Sequence, residues 1–505
     1  MRSIPTDPHK PNDADLREMT DGNQAGKSGL GRVLMNVAFI TGSNITGRLL
    51  TLVLHAALAR AFGAEGLGGL ATAVAISTYF VFLVDFGTAP RLEREGATSP
   101  VELGNLFAEA LGFKLALSVP AAGAVVLLAL FLPFDGWVVE LCVLIAIASI
   151  IRSFAYTTQA VCRARERIDL VGVTLVLDTA AFVGTSLIAL GLGLPLVSIG
   201  YASIFAALVQ LGSATLFARR FISFSIRFPP RLSVARAALP YATTSLSVLA
   251  FAQIDVLIMA FIESTAFVGR YSAVSRLLLI AGTLGVMSTS AILPTAARVF
   301  ANATSERFDE IINGAIRLVV AIGLGASAGV AIIAEPLLAT IYGPDFVELT
   351  GLLRLGAPYL AFKFAVSILG VSLTSIGRQG DRARSVLLGL VATVVFVLTL
   401  VPVLGLTGAV ASMVASELVL ATSLLWFLRH RLHWGRFFVT ILSSLVAAAG
   451  ALATFSAFGP AESLAETALA NIVPGIAFLA IWLASGDGVR AFQFVNALRS
   501  RPPPK

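Results

Sequence analysis

Residues Leu34 to Phe62 read LMNVAFITGSNITGRLLTLVLHAALARAF. At 1.5 Å per residue the run is long enough to cross a bilayer as a helix. Yet it carries Thr41, Asn44, Arg48, Thr51 and His55. Their spacing of three, four, three, four stacks all five on one helical face, opposite a face of Ile, Val, Leu and Ala. An Arg at mid-membrane costs roughly 3 kcal/mol or more if it meets lipid. The stripe is therefore expected to line a polar substrate cavity that the other helices surround. The plainer alternative is an Arg held by a buried acid for packing.

Composition places the whole chain in the same setting. Of 505 residues, 57% are hydrophobic and 13% charged, with a mean hydropathy of +0.88. Soluble domains average about 25% charged residues. The net charge of +7 raises the question of nucleic acid, but the Arg residues sit in short connections between apolar runs, so no nucleic-acid partner is expected. Cys142 and Cys162 fall twenty residues apart on one expected helix, about 30 Å by helical rise. They cannot bridge each other, and no metal site or cofactor is expected from this inventory. The first apolar run follows a polar segment and does not look like a signal peptide. Residues 1–32 are read as a disordered cytoplasmic head.

Two motifs in that head are decoys. Gly22 to Ser28 resembles a phosphate loop, but it has three residues between Gly22 and Gly26 instead of four, and no strand precedes it. Asp13 and Asp15 form an acid pair in a Pro/Asp/Asn-rich segment unsuited to holding a metal.

Fourteen apolar spans follow, at about 34–62, 66–89, 106–132, 137–161, 168–192, 196–218, 238–262, 270–297, 314–341, 352–376, 385–404, 406–428, 437–458 and 466–485. With the head and tail, alternate connections hold 28 of the 36 basic residues; the other set holds only Arg60, Arg270 and Arg354. By the positive-inside rule both termini are cytoplasmic and the number of spans is even. Gly68-Gly69-Leu70 opens the second span and Gly269-Arg270-Tyr271 the eighth, a hint of a six-span duplication. Repeat-built transporters place their site at the repeat interface. The expected organisation is a six-helix lobe at 33–218, a basic linker at 219–236, a second six-helix lobe at 237–428, two further helices at 429–485 and a cytoplasmic tail at 486–505.

Lys114, Arg152, Asp178, Asp255, Arg276, Lys363 and Glu417 also fall inside spans. Asp85, Glu140 and Glu335 lie nearer the ends, where side chains snorkel. Asp178 and Glu417 are candidates to neutralise Lys114 and Lys363. An acid paired with a cation can also carry a coupling proton. Gly408, Ser412 and Ser416, four apart, suit a close helix contact.

Several stretches resemble a known family. Ala59 to Gly68, with Asp85-Phe86-Gly87 and Arg94-Glu95, is similar to the first hairpin of polysaccharide flippases. Asp255 to Ile258, Val268 to Ala273, Arg276-Leu277 and Pro294 resemble their seventh and eighth spans. Glu335 to Leu338 and Ile341 to Phe346 look like the end of their ninth, and Gly405 to Ala411 with Glu417 like their eleventh and twelfth. The family is the lipid-linked oligosaccharide exporters of the multidrug/oligosaccharidyl-lipid/polysaccharide flippase superfamily. The resemblance implies an all-α polytopic fold of two pseudo-symmetric six-helix lobes around a central cavity, in the bacterial inner membrane. It also implies that undecaprenyl-pyrophosphate-linked sugar units, destined for lipopolysaccharide or exopolysaccharide, cross to the periplasmic leaflet by alternating access. Pathway polymerases and glycosyltransferases would be partners. Lipid II flippases tend to carry an Arg where this chain reads Leu52 to His55, which favours an O-unit or exopolysaccharide substrate.

Arg48 is thus expected to hold the pyrophosphate, with Asn44, Thr51, His55 and Thr41 beside it and Lys114, Arg152, Arg276 and Lys363 as further cations. Asp178, Asp255 and Glu417 are the coupling or structural acids for a proton or sodium gradient. Two rivals stand. A cation-coupled drug antiporter suits a cavity with few cations. A membrane-embedded polymerase or glycosyltransferase needs a sizeable outer domain, and no outer connection here exceeds about a dozen residues by the positive-inside assignment. The chain is therefore read as a transporter and not an enzyme.

Overall fold

The computed structural model describes residues 13–228, 232–302, 305–458 and 472–484. Among these, every regular element is helical. In chain order they are α1 (Asp13–Asp85), α2 (Thr88–Thr98), α3 (Leu103–Phe131), α4 (Gly136–Ala164), α5 (Ile168–Gly191), α6 (Ser198–Ala218), α7 (Leu232–Ile262), α8 (Thr265–Asn302), α9 (Ser305–Ile332) and α10 (Ala334–Ile341). A 3₁₀ turn (Pro344–Leu349) leads to α11 (Thr350–Gly356), α12 (Pro358–Ser375), α13 (Gln379–Leu428), α14 (Trp434–Phe458) and α15 (Ile472–Ala484).

Nine helices among the described residues are long and apolar enough to cross a membrane. Their outward faces carry large apolar side chains: Val119 is 74% exposed, Phe131 77% and Val403 78%. Water penalises a surface of this kind, whereas lipid solvates it, and helices satisfy their own backbone groups there. The chain is a multi-pass membrane protein. The expected count of fourteen crossings is not fixed by these residues.

Two helices are broken at a glycine. Gly63 interrupts α1 with φ 63°, ψ −158°, and Gly405 interrupts α13 with φ 57°, ψ −134°. Both are left-handed conformations that an L side chain resists. Each break falls between two expected spans and turns the chain back. Gly408 then lies so close to α13's first half that an added Cβ would sit 2.1 Å from the Leu400 carbonyl oxygen. The small residue expected to give a helix contact therefore packs the two halves of one broken helix together.

Two sequence expectations need correction. Residues 13–32, read as a disordered head, belong to α1; helix formers Leu16, Arg17, Glu18 and Met19 lie there, and no proline occurs between Pro11 and Pro90. Residues 1–12 and the tail lie outside the described residues. The ninth span ends at Ile332 rather than 341. Beyond it Pro336, Pro344 and Gly343, at φ 104°, divide the chain into α10, the 3₁₀ turn and α11.

The helices α1 and α3 to α6 pack on one another, as do α7, α8, α9, α12 and α13, while α14 and α15 pack together and α14 against α9. At the end bearing Gly63 one apolar core runs through both groups, joining Leu54, Leu58 and Leu70 to Tyr271, Val274 and Leu353. At the opposite, basic end the cores are separate. One is built from Phe107, Val161 and Leu170, the other from Ile316, Leu369 and Leu424.

The shared core rests on two glycines. An added Cβ on Gly68 would lie 1.8 Å from the Thr265 carbonyl oxygen, and one on Gly269 would lie 1.7 Å from that of Ala64. Each glycine thus meets the carbonyl four residues before the other, a near two-fold exchange that follows the sequence repeat. Arg60 donates to the Thr340 carbonyl across the same end, and Arg270 pairs with Glu348 at 3.4 Å. At the basic end Gly87, at φ 75°, sits against α7; a Cβ there would lie 2.4 Å from the Ala242 nitrogen.

Candidate functional site

A cavity of about 380 Å³ lies between the two helix groups. Arg48 and Ala71 reach it from α1, Asp255 from α7, Tyr271 and Arg276 from α8, Tyr359 and Lys363 from α12, and Ser416 and Glu417 from α13. It therefore holds three cations and two acids.

The charges differ in how they are satisfied. Lys363 Nζ stands 3.2 Å from Glu417 Oε1 and over the rings of Tyr359 and Phe251, at 5.6 and 5.9 Å. Asp255 accepts a hydrogen bond from the Tyr271 hydroxyl at 2.5 Å. Arg48 and Arg276, by contrast, make no ion pair or hydrogen bond from their side chains among the described residues, although both line the same cavity. Arg48 is exposed and Arg276 half-buried; two like charges beside one cavity repel each other until an anion joins them. They offer a planar, multi-donor site suited to phosphate oxygens.

The remaining stripe residues take other roles. Thr51 Oγ1 donates to the Gly47 carbonyl at 2.7 Å. His55 is buried, and its Nδ1 donates to the Thr51 carbonyl at 2.7 Å, since a carbonyl can only accept. Asn44 is exposed and is not among the residues lining the cavity. The side chain of Thr41 lies outside the described residues. Of the five, the structure brings Arg48 to the cavity.

Lys114 and Arg152, grouped from sequence with the cavity cations, lie elsewhere. Lys114 is fully buried, 2.7 Å from Asp85 Oδ1, and donates to the Ser153 carbonyl at 2.5 Å. Asp85 is therefore its partner and not a snorkelling side chain at the end of a span; the turn after α1 points it inward. Arg152 pairs with Asp178 at 3.2 Å, donates to Ser203 Oγ at 3.0 Å and lines a second cavity of about 360 Å³ within the first helix group. Breaking a buried pair by removing one partner costs about 3–5 kcal/mol. Lys114→Met is therefore expected to lower the amount of folded protein in the membrane, and Lys114→Met with Asp85→Leu to recover it. Unchanged abundance in the single variant, measured by immunoblot of membranes, would contradict a structural role for Lys114.

Tyr271, Tyr359 and Ser416 line the cavity without having been singled out as site residues. No sequence signal set them apart, since six of the 7 Tyr residues fall inside the expected apolar spans.

The described residues, two groups of membrane-spanning helices with a charged cavity between them, share their fold with solved lipid flippases and multidrug exporters. The structure is similar to one described as lipid II flippase MurJ in an inward closed conformation, with a TM-score of 0.71 and 13% identity over 88% of this chain and 98% of that one. It is also similar to an inward-facing MATE multidrug transporter of the MOP superfamily, with a TM-score of 0.61 and 18% identity over 76% and 94%. A third similar structure is that of the MATE multidrug transporter DinF-BH, with a TM-score of 0.59 and 17% identity over 81% and 96%. No curated protein matches the chain by sequence. The family model for polysaccharide biosynthesis proteins matches residues 33–300, and the chain belongs to that family.

Proposed function

We propose that this protein moves polyprenyl-pyrophosphate-linked oligosaccharides, of the undecaprenyl type, across the bacterial inner membrane for export of a cell-surface polysaccharide. The observation that carries this reading is the pair of unpaired guanidinium groups, Arg48 and Arg276, in a cavity between the two helix groups. A pyrophosphate supplies the anionic oxygens they lack. The sugars would extend along Tyr271, Tyr359 and the serines, and the prenyl chain would stay in lipid. Antiport of a cationic drug is the weaker reading, because the groups left unpaired in this cavity are themselves cations.

The two lobes are residues 33–218 and 237–428, and they rock about the contact of Gly68 with Gly269. Glu417 with Lys363 is the favoured pair for coupling to a proton or sodium gradient, since both line the substrate cavity; Asp178 with Arg152 lies apart from it. Uncoupling by Glu417→Gln is expected to abolish dependence on an imposed gradient while leaving substrate binding intact. Loss of binding with the gradient response preserved would refute that assignment.

Binding tests the substrate class directly. Purified protein is expected to take up a short-chain polyprenyl pyrophosphate in preference to the monophosphate, seen as a larger rise in melting temperature. Each charge-assisted bond contributes about 1.5–3 kcal/mol, so Arg276→Ala should weaken pyrophosphate binding by at least about tenfold. Equal binding of both lipids by wild type would refute the reading.

Orientation follows from the basic connections: both termini are cytoplasmic and the Gly63 end is periplasmic. Reporter fusions after Arg236 and Arg384 should read as cytoplasmic and one after Phe346 as periplasmic. A periplasmic signal at Arg236 would invert the scheme.

A further inference from the structure

Where α13 ends and α14 begins, the chain forms a concave face of about 690 Å³. Its wall includes Trp426, Arg429, His430, Trp434, Phe437 and Phe438. Trp426 is 63% exposed and Phe438 61%. Trp434 stands edge-on to Phe437, with ring centroids 5.9 Å apart. The Arg429 guanidinium lies 4.0 Å from the Trp426 ring centroid, and its Nη1 donates to the Trp426 carbonyl at 3.2 Å. Trp434 Nε1 donates to the Arg429 carbonyl at 3.0 Å, closing the turn. Among the described residues no acid comes within ion-pair distance of Arg429. The turn thus holds a guanidinium over an indole, with no acid partner among the described residues, above an aromatic hollow.

Two features name the occupant. Trp side chains settle at the headgroup level of a membrane, and the hollow below them is apolar enough for an acyl chain. The cation above it, with His430, Arg431 and Arg436 nearby in the same connection, requires an anion. Basic connections lie on the cytoplasmic side. We propose that this face binds an anionic glycerophospholipid of the cytoplasmic leaflet, with an acyl chain against Trp426, Trp434 and Phe438 and the headgroup phosphate on Arg429. A zwitterionic lipid brings its own ammonium group, which competes with Arg429 for the phosphate. The site therefore selects by net headgroup charge.

The test uses the full-length protein with Trp137→Phe and Trp482→Phe, which leaves Trp426 and Trp434 as the only Trp residues of the original 4. It is reconstituted in phosphatidylcholine vesicles containing a minor fraction of brominated phosphatidylglycerol or brominated phosphatidylcholine, and quenching of Trp fluorescence is measured. One Arg near the surface favours an anionic lipid by about fivefold, or roughly 1 kcal/mol at 1.4 kcal/mol per tenfold. Half-maximal quenching should need about fivefold less brominated phosphatidylglycerol than brominated phosphatidylcholine. In Arg429→Gln that preference should vanish, while quenching by brominated phosphatidylcholine stays as it was, showing that the aromatic hollow is still formed. Equal quenching by the two lipids in the parent protein would show ordinary bilayer contact only and overturn the proposal. So would a preference that survives in Arg429→Gln.

Discussion

Arg48→Ala is expected to abolish export of the surface polysaccharide in a strain deleted for its flippase, and Arg48→Lys to restore only part of it. Truncation removes a planar, bidentate phosphate donor, whereas Lys returns a point charge. Protein abundance should stay near wild type in both, because Arg48 has no acid partner among the described residues and its removal strands no buried charge. This separates it from Lys114, whose loss leaves Asp85 alone. The measurement is surface polysaccharide per unit of inserted protein. Full export by an abundant Arg48→Ala protein would remove the pyrophosphate from this site.

Gly269→Val should have an effect of similar size through a different cause. A Cβ at this position would overlap the Ala64 carbonyl oxygen at 1.7 Å, with backbone on both sides of the contact. Overpacking costs about 1–3 kcal/mol where side chains can shift; backbone cannot shift as readily, so the upper value applies. That disfavours the joined Gly63 end by more than about a hundredfold. Transport should be lost, and a cysteine placed at Ser275 in the cavity wall should become reactive to an impermeant thiol reagent added from the periplasm. The native Cys142 and Cys162 are buried and should stay silent. Normal transport with Ser275→Cys unreactive would show that the two glycines do not hold that end closed.

Much of the architecture was legible because the membrane imposes one rule on every span. Apolar runs located the helices, Gly63 and Gly405 fell between expected spans, and the paired Gly68 and Gly269 motifs turned out to touch. Arg48 was legible for a related reason, since a cation deep in an apolar run must face something polar. Its neighbours on the stripe were less so. Thr51 and His55 share its periodicity, but a hydroxyl or imidazole can satisfy itself on the helix's own carbonyls, and an Arg cannot do so as readily. Partners between helices were readable only in part: Glu417, a candidate partner from the sequence, does pair with Lys363, but the other pairs were not legible. Asp85 lies at the end of a run and belongs to Lys114, and Arg152 rather than Lys114 takes Asp178. Those pairs depend on how helices distant in sequence cross, which no local spacing records. The helical course of residues 13–32 was likewise hidden behind a composition typical of disorder.

The most direct measurement is translocation by the purified protein. Proteoliposomes would carry a fluorescent polyprenyl-pyrophosphate-linked oligosaccharide in both leaflets, with an impermeant quencher added outside. The expected result is that wild type brings the inner population within reach of the quencher, that the corresponding monophosphate-linked lipid moves much more slowly, and that Arg48→Ala moves neither. Equal translocation of both lipids, or of the pyrophosphate lipid by wild type and Arg48→Ala alike, would contradict a cavity built to carry a pyrophosphate.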